Sequence, residues 1–583
     1  MSELSSHTVC ALQRAISHAE RVRARMSKVR RKFLEAYAGR HFLMSDDAKS
    51  SPIPLLYTSV AIYIAQLVAQ HPAAAVSSKF RKYRPFGRSM QIHLAGKARE
   101  LDMRKRMRRA VFDSMFGVGI TYAGVHQTGE VLANGAKVAV GRSYVSNVSL
   151  DHYVQDPGCR DIEEALWQGH LMELPIEGCR DQFDNMDNVT ISTKSYADGD
   201  ASERLTSGYK EDRRELHDMC QFNLVFYPEA DGIFAIPLEG QGEKALKDIE
   251  YKGPEEGPYD ILGYMPMEGT AWKVPPVTQW HDWHEMINTV ACKFREQATD
   301  MRKVLAYTSG AADDADRVMQ ARNGTAVKVD QLDQLAEFTF SEPSQAMQPL
   351  LQFLMGIGSL ITGNTDLIGG MSASASSATE AALLQSNAAG RINDMRTEIE
   401  HFAAGIFKKI AFYEFNDPLL DSTVYKRVRG TDMEFPERLT PDSLEGQHFD
   451  YIWSVTPYSM SPKDPAKTAQ NILQWVTQFV MPALNIQPAL AQQLDLETLV
   501  RVSGEKMGID EVDDFFEARR ANPTDMTMAA QAGQGFPTSP SSSPADQMQQ
   551  MMAQSLGAKM PGMNANQTPS NMPREAVAAA AGA

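Results

Sequence analysis

This sequence has few of the residues from which sites of chemistry are usually built. Its five cysteines, Cys10, Cys159, Cys179, Cys220 and Cys292, are scattered over 583 residues, odd in number and without a C-x-x-C pair. Neither a disulfide framework nor a zinc cluster is indicated, and a reduced, intracellular place of synthesis is expected. No G-x-x-x-x-G-K-[ST] phosphate loop is present, which a motor or kinase of that class would need, and no G-x-S-x-G nucleophile turn occurs. The N-terminus lacks a signal-peptide pattern, because its first apolar residues are already mixed with His, Gln and Arg. The nearest approach to a membrane span, 53–68, is interrupted by Tyr57, Thr58, Ser59, Tyr63 and Gln66 and falls short of the ~20 residues a crossing needs; a buried helix and no membrane are expected. Positive charge is also in deficit. A net charge of -15 and a pI of about 5.4 argue against a surface that coats nucleic acid, although an acidic chain can handle DNA transiently because it repels phosphates.

Two local patterns need weighing. Gly117, Gly119 and Gly124 form a G-x-G-x4-G spacing, but it follows a predicted helix and leads into a predicted strand, the reverse of a dinucleotide-binding turn. They are read as turn and strand-start residues. His281, Asp282, His284 and Glu285 have the side chains of a zinc or iron site, yet on a helix they spread around the axis and no third remote ligand accompanies them. A polar face beside Trp280 and Trp283 is expected, with a metal-dependent enzyme as the alternative. No catalytic residue, metal or cofactor is assigned, and weight shifts from an enzyme to a structural or assembly role.

What is present is helical periodicity on a large scale. After Gly369, Gly370 and a Ser/Ala run, apolar residues fall three or four apart at Ala381, Leu384, Ala388, Ile392, Met395, Ile399, Phe402, Ile406, Ile410 and Tyr413, which predicts a rod ~50 Å long. Its stripe is too narrow to form a core alone, so it is read as a strut against neighbours, identical copies among them. A basic helix is expected at 10–40, either facing nucleic acid or an acidic partner or a solvated arm that salt-bridges to this otherwise acidic protein, and further helices at 53–68 and 91–116. The latter carries Arg104, Lys105, Arg106, Arg108 and Arg109. Period-two sequence with Asn134-Gly135 at its centre predicts a hairpin or small sheet over 117–148, and strands are expected at 221–227 and 232–236. Pro275-Pro276 marks a boundary, followed by a second strut at 277–302 with Trp280, Trp283, Ile287, Val290, Phe294 and Met301 on one face. Short strands at 304–307, 326–329 and 338–340 make a small insert, and a helix at 345–360 returns from it. A strand at 448–456 and helices at 466–480 and 494–520 complete the pattern. Polar sequence at 184–214 reads as an exposed insertion, and the Gly, Pro, Ser, Gln and Met beyond 522 cannot offset ordering entropy without assembly.

Several of these segments, in this order, resemble the portal (head-to-tail connector) proteins of tailed bacteriophages. LYTSVAIYIAQLVAQHPAAAVSS (56–78) resembles the family's N-terminal wing helix, and VSLDHYVQDPGCRDIEEALWQGH (148–170) its wing segment with a strand leading to Asp-Pro. GPYDILGYMPMEG (257–269) and WKVPPVTQWHDWHEMINTVACKFREQA (272–298) resemble the approach to the first stem helix, and SSATEAALLQSNAAGRINDMRTEIEHF (376–402) the start of the long helix after the tunnel loop. The likeness spans roughly residues 50–480 and lies in order and spacing rather than in any invariant residue. Length and the Met/Gln-rich tail point to a short-tailed phage or prophage.

The resemblance implies an α+β portal-type fold: wing at 1–276, stem helices at 277–302 and 345–360 around a clip at 303–344, and a tunnel loop at 361–377. A long wing helix at 378–415, the rest of the wing at 416–456, a helical crown at 457–521 and a tail at 522–583 would follow. It implies a homo-oligomeric, usually dodecameric, ring at one capsid vertex of the virion, made in the host bacterial cytoplasm. Double-stranded DNA would pass through the ring, and the terminase large subunit, head-tail adaptors and tail proteins, and the major capsid and scaffolding proteins would be its partners. Asn364, Thr365, Asp366, Met371 and Ser372 would line the tunnel as a weakly binding collar. Lys408 and Lys409 are candidates for facing DNA, a surface salt bridge being the alternative, and Lys303, Asp313, Asp314, Arg317 and Arg322 would form the docking surface of the clip. Another ring-forming minor virion or internal ejection protein is the alternative within the same class.

Overall fold

The computed structural model describes residues 4–39, 53–133, 136–183, 185, 219–240, 242–322, 324–330, 332–340, 347–363, 378–427 and 434–462. Among them the chain is α+β, its helices packed beside small antiparallel sheets. The helices expected at 466–480 and 494–520, the tail beyond 522, and the insertion at 184–214 apart from Asn185 lie outside the described residues.

Helix α1 (Ser6–Ala38) is capped by Ser5, whose hydroxyl accepts from Thr8 N at 3.2 Å. It is not a free basic arm. Val9, Leu12, Ile16 and Ala19 join one core cluster and Phe33 another. Arg30, 4 % exposed, ion-pairs with Asp151 at 2.7 Å and Asp113 at 3.4 Å, and Arg23 donates to the Tyr153 carbonyl at 3.0 Å. Helix α2 (Leu55–Leu67) buries Leu56, Val60, Tyr63, Ile64 and Leu67 in the main core, which is why this apolar run has the composition of a near-span.

Strand β1 (Ala74–Ser78) is followed by α3 (Arg84–Glu100) and α4 (Met103–Phe116), where the sequence predicts one helix over 91–116. The break is at Leu101-Asp102, with Asp102 left-handed at φ 48°. It lets the Met90, Leu94 and Ala98 face and the Met103, Met107 and Val111 face enter the same core. No Gly or Pro marks the bend, so periodicity ran through it.

Strands β2 (Gly119–Ala133) and β3 (Ala136–Val148) form the expected hairpin, Ala133 opposite Ala136. Gly119 is required where β2 starts, since a Cβ there would lie 2.1 Å from the Ala110 carbonyl oxygen. Strands β4 (Tyr153–Gln155) and β5 (Gln168–Pro175), helix α5 (Ile176–Gln182) and strands β6 (Met219–Tyr227), β7 (Gly232–Pro237) and β8 (Lys247–Glu250) follow, the strands forming one antiparallel sheet in the order β4-β5-β6-β7-β8. Strands β6 and β7 match expected strands, and β4 is the strand expected to lead to Asp156-Pro157; β5 and β8 had no counterpart in the sequence reading. Strand β9 (Tyr259–Leu262) adds to the edge of β2, and β10 (Met265–Met267) pairs with β11 (Thr270–Val274).

Helix α6 (Val277–Asp300) leads through β12 (Arg302–Tyr307), α7 (Ala312–Gln320) and β13 (Leu335–Phe340) to α8 (Met347–Thr362). The strand expected at 326–329 is absent, and β12 pairs directly with β13 across the unpredicted helix α7. Helix α8 runs two residues past its expected end, to Gly363 at φ +78°. Trp283 of α6 locks the two helices together: its Nε1 donates to the Leu354 carbonyl at 2.9 Å, and its ring occupies the space where a Cβ on Gly358 would lie 1.8 Å from Cζ2. Gly358→Ala should therefore separate α6 from α8 and cost about 1–3 kcal/mol, seen as a lower midpoint in urea with altered tryptophan fluorescence.

Helix α9 (Ala378–Phe415) is the long rod. From Ile392 onward its stripe is not left for a neighbouring copy. Ile392, Met395, Ile399, Phe402, Ile406 and Ile410 are buried in the subunit's own core with α2 and α4. Strands β14 (Ser422–Arg427) and β15 (Glu434–Leu439) form a hairpin that the sequence did not reveal. The strand expected at 448–456 is β16 (Tyr451–Val455), which pairs antiparallel with β1.

Candidate functional site

Among the described residues, the α6–α8 hairpin carries a run of exposed apolar side chains. Helix α8 is apolar on nearly every side, a pattern stable in water only when all sides are covered. Leu354, Gly358 and Thr362 form the buried stripe, with Leu354 packed on Trp283 and Ile287 of α6. At about 100° per residue, Leu350 and Met355 fall on opposite flanks of that stripe and Phe353 and Leu360 across its back. Phe353 is 64 % exposed and Leu360 65 %, and both flanking residues are exposed. The apolar surface continues along α6 at Met286 and Phe294 and onto the β12–β13 pair at Val304, Tyr307 and Phe338. Exposed apolar side chains of this kind make the hairpin a candidate association surface. Two opposite flanks suit a heterologous contact, in which one flank of a copy meets the other flank of the next, more than a two-fold contact through one self-complementary patch.

The predicted site residues fare unevenly. Asn364, Thr365, Asp366, Met371 and Ser372 lie outside the described residues. Lys303, Asp313, Arg317 and Arg322 are exposed around the β12–β13 pair, Lys303 ion-paired with Glu337 at 3.0 Å. Asp314 is not available for docking: it is buried, pairs with Arg317 at 3.3 Å and accepts from the Asp330 amide at 2.9 Å, holding the loop after α7 onto that helix. Lys409 cannot face DNA. It is 1 % exposed, its ammonium is 2.8 Å from Asp260 Oδ2, and it donates to the Tyr259 carbonyl. Gly405 makes room for that carboxylate, since a Cβ there would lie 2.6 Å from Asp260 Oδ1. Lys408 is half-exposed and ion-paired with Glu256.

The histidines of α6 serve packing. His281 is buried with its ring 5.0 Å from that of Phe33, while Asp282 points outward. His284 is buried beside Asn288, whose amide accepts from Ile53 N and donates to Ile53 O. Among the described residues, no group of three His, Cys, Asp or Glu side chains is placed to hold a metal. Burial, followed by the charge of His281, lowers the His284 pKa from 6.5 to about 4; burial, followed by the charge of His152, does the same to His170. Both histidines are therefore neutral when folded and bind protons more readily when unfolded. Their stabilisation is complete above the unfolded value of 6.5 and is lost as pH falls towards 4, by up to ~3 kcal/mol each. A melting temperature that drops between pH 6.5 and 4, with a smaller drop in His284→Gln, is the expected result.

A second polar group is buried where α3, α9, β3 and β14 meet. His93 Nε2 lies 2.9 Å from Glu414 Oε2 and its Nδ1 lies 3.0 Å from Ser422 Oγ, while Ser143 Oγ donates to Glu414 Oε1 at 2.6 Å and Lys97 stands 3.4 Å away. Burial pushes the Glu414 carboxyl up, but these hydrogen bonds and the Lys97 charge outweigh it and leave the pKa below the ordinary value. Serine, histidine and glutamate in line invite comparison with an acyl-transfer triad. The groove that reaches this group is lined by Ser143 and Glu414 and not by Ser422 or His93, so a substrate there would meet the acid and not the nucleophile. The arrangement clamps the β14–β15 hairpin onto the core.

Neither a protein-family model nor a curated protein matches this chain. The reading of the site rests on its geometry. No helix among the described residues is long and apolar enough to cross a membrane. The α8 surface could have been found earlier, because its run of Leu, Phe, Met and Ile lacks the polar side that a surface helix needs. The Lys409–Asp260 pair left no such signal.

Proposed function

We propose that this chain is a portal subunit, a non-enzymatic component of a ring at one capsid vertex through which DNA is packaged and ejected. The observation that carries the reading is helix α8, apolar on both flanks and across its back, in a helical hairpin whose partner helix α6 buries nothing fully beyond Asn288. In this reading α6 and α8 are the stem, and β12, α7 and β13 are the clip that docks the terminase and later the tail adaptors. The elements before α6, with β14 to β16 and the C-terminal part of α9, are the wing. Neighbouring copies cover the stem flanks in a closed heterologous ring. The acidic balance of the chain keeps a sliding polyanion from binding along its path. Energy for translocation comes from the partner ATPase, in keeping with a sequence that has no phosphate loop. Negative-stain electron microscopy and mass photometry of the purified protein test the proposal. Rings with a central hole are expected; a 64.6 kDa monomer or a dimer at every concentration would overturn it.

A further inference from the structure

The cations of α4 gather beside a groove outside the α6–α8 hairpin. Lys105, Arg106, Arg108 and Arg109 line a groove of about 640 Å³ with Tyr37 and Tyr57 as one wall and Phe112 beside them, and no carboxylate is among its lining residues. In a chain of net charge -15 this is a local inversion of sign. Two of the cations are partly engaged, Arg109 with Asp113 at 3.1 Å and Arg108 with the Val68 carbonyl at 3.3 Å. Lys105 is exposed and has no carboxylate partner among the described residues. Arg106 is half-buried and also lines the groove.

The aromatic wall narrows the choice of ligand. Tyr37 and Tyr57 stand with ring centroids 5.3 Å apart, and Tyr57 remains half-exposed. An acidic peptide would use the cations but gives no reason for an exposed aromatic wall beside them. A nucleotide unit uses both, its phosphate on the cations and its base on an aromatic face. A duplex keeps its bases stacked inside and would engage the cations alone. We infer that this groove binds a nucleotide unit with an unpaired base, supplied by single-stranded nucleic acid or by a free mononucleotide.

Fluorescence anisotropy of the full-length protein with a labelled short oligothymidylate tests this, with the unlabelled duplex of the same length, thymidine monophosphate and polyglutamate as competitors. Tyr57→Ala should weaken binding about 10-fold and Tyr57→Phe should restore it, as expected of one stacked base. Lys105→Ala should lower the slope of log affinity against log salt by ~0.7, one single-strand phosphate contact. Competition by thymidine monophosphate at a concentration matching its nucleotide content would identify a mononucleotide as the ligand, and its failure beside a binding oligothymidylate would identify the strand; both support the site. Competition by polyglutamate or duplex equal to that of the single strand, or affinity indifferent to Tyr57→Ala, would overturn it. Both substituted residues are exposed, so unchanged melting temperatures separate a binding defect from a folding one. The ring assay is read independently of this one.

Discussion

Leu350→Asp and Met355→Asp should each give a folded monomer, and an equimolar mixture of the two should give dimers and nothing larger. The expectation follows from their positions on opposite flanks of α8. Each substitution removes a buried aliphatic side chain worth about 2–3 kcal/mol and places a carboxylate where water is excluded, so the affected contact weakens by more than about 100-fold. In a heterologous ring every copy offers one of each flank. The Leu350→Asp copy keeps a sound Met355 flank and the Met355→Asp copy a sound Leu350 flank, so one good contact survives per pair and cannot propagate. Mass photometry reads the outcome directly, and the melting temperature of each variant should stay near that of the parent because both positions are exposed in the subunit. Rings formed by either variant alone would show that these flanks are not the contact. Species larger than a dimer in the mixture, or no dimer at all, would show that the contact is not head-to-tail.

Lys409→Ala is expected to destabilise the subunit by about 3–5 kcal/mol at neutral pH, the usual consequence of removing one partner from a buried ion pair. Asp260 would be left among buried tyrosines with Lys408 and Glu256 as its nearest charges. Burial already raises the Asp260 carboxyl pKa above 3.8, and the Lys409 ammonium is the main influence holding it down. Without Lys409 the pKa rises further. A carboxyl raised in the folded state favours folding below its unfolded value, and that advantage disappears as pH rises through the folded value. The deficit of the variant relative to the parent should accordingly be largest at neutral pH and shrink on acidification towards pH 4. Urea unfolding of both proteins at several pH values measures the difference. Lys409→Met with Asp260→Leu should recover most of the loss, since an apolar pair of similar volume replaces the buried charges. A Lys409→Ala variant as stable as the parent would show that the Lys409–Asp260 pair contributes nothing to folding.

Where a stretch of chain has one period and one face, its element was legible in the sequence. That holds for α2, α6, α9 and the β2–β3 pair, where Asn134-Gly135 marked the connection between the strands. The α3–α4 break escaped because Asp102 adopts a left-handed conformation without Gly or Pro to announce it. The β14–β15 hairpin escaped because its strands mix charge, Pro and aromatics on an exposed surface, with Tyr425 and Phe435 facing water. The assembly surface was looked for on α9, where the periodic stripe is most visible. That stripe is satisfied at home, whereas α8 has too many apolar positions to show a stripe at all. Burial of Lys409 depends on Asp260, about 150 residues earlier in the chain, and pairings at that distance are invisible to local pattern.

The pairing of β1 with β16 has a consequence for synthesis. Ser454 donates to the Ala75 carbonyl across 379 residues of chain, so the first strand of the core waits for its partner until nearly all of the described chain has left the ribosome. The α6–α8 hairpin is encoded between them and emerges earlier. Its exposed apolar flanks are thus presented on a nascent chain whose core is still open, at the stage when intermediates most readily associate wrongly. A chain stopped before Tyr451 would carry the means to join a neighbour without the strand that completes its own fold, and such fragments would poison assembly of the full-length protein.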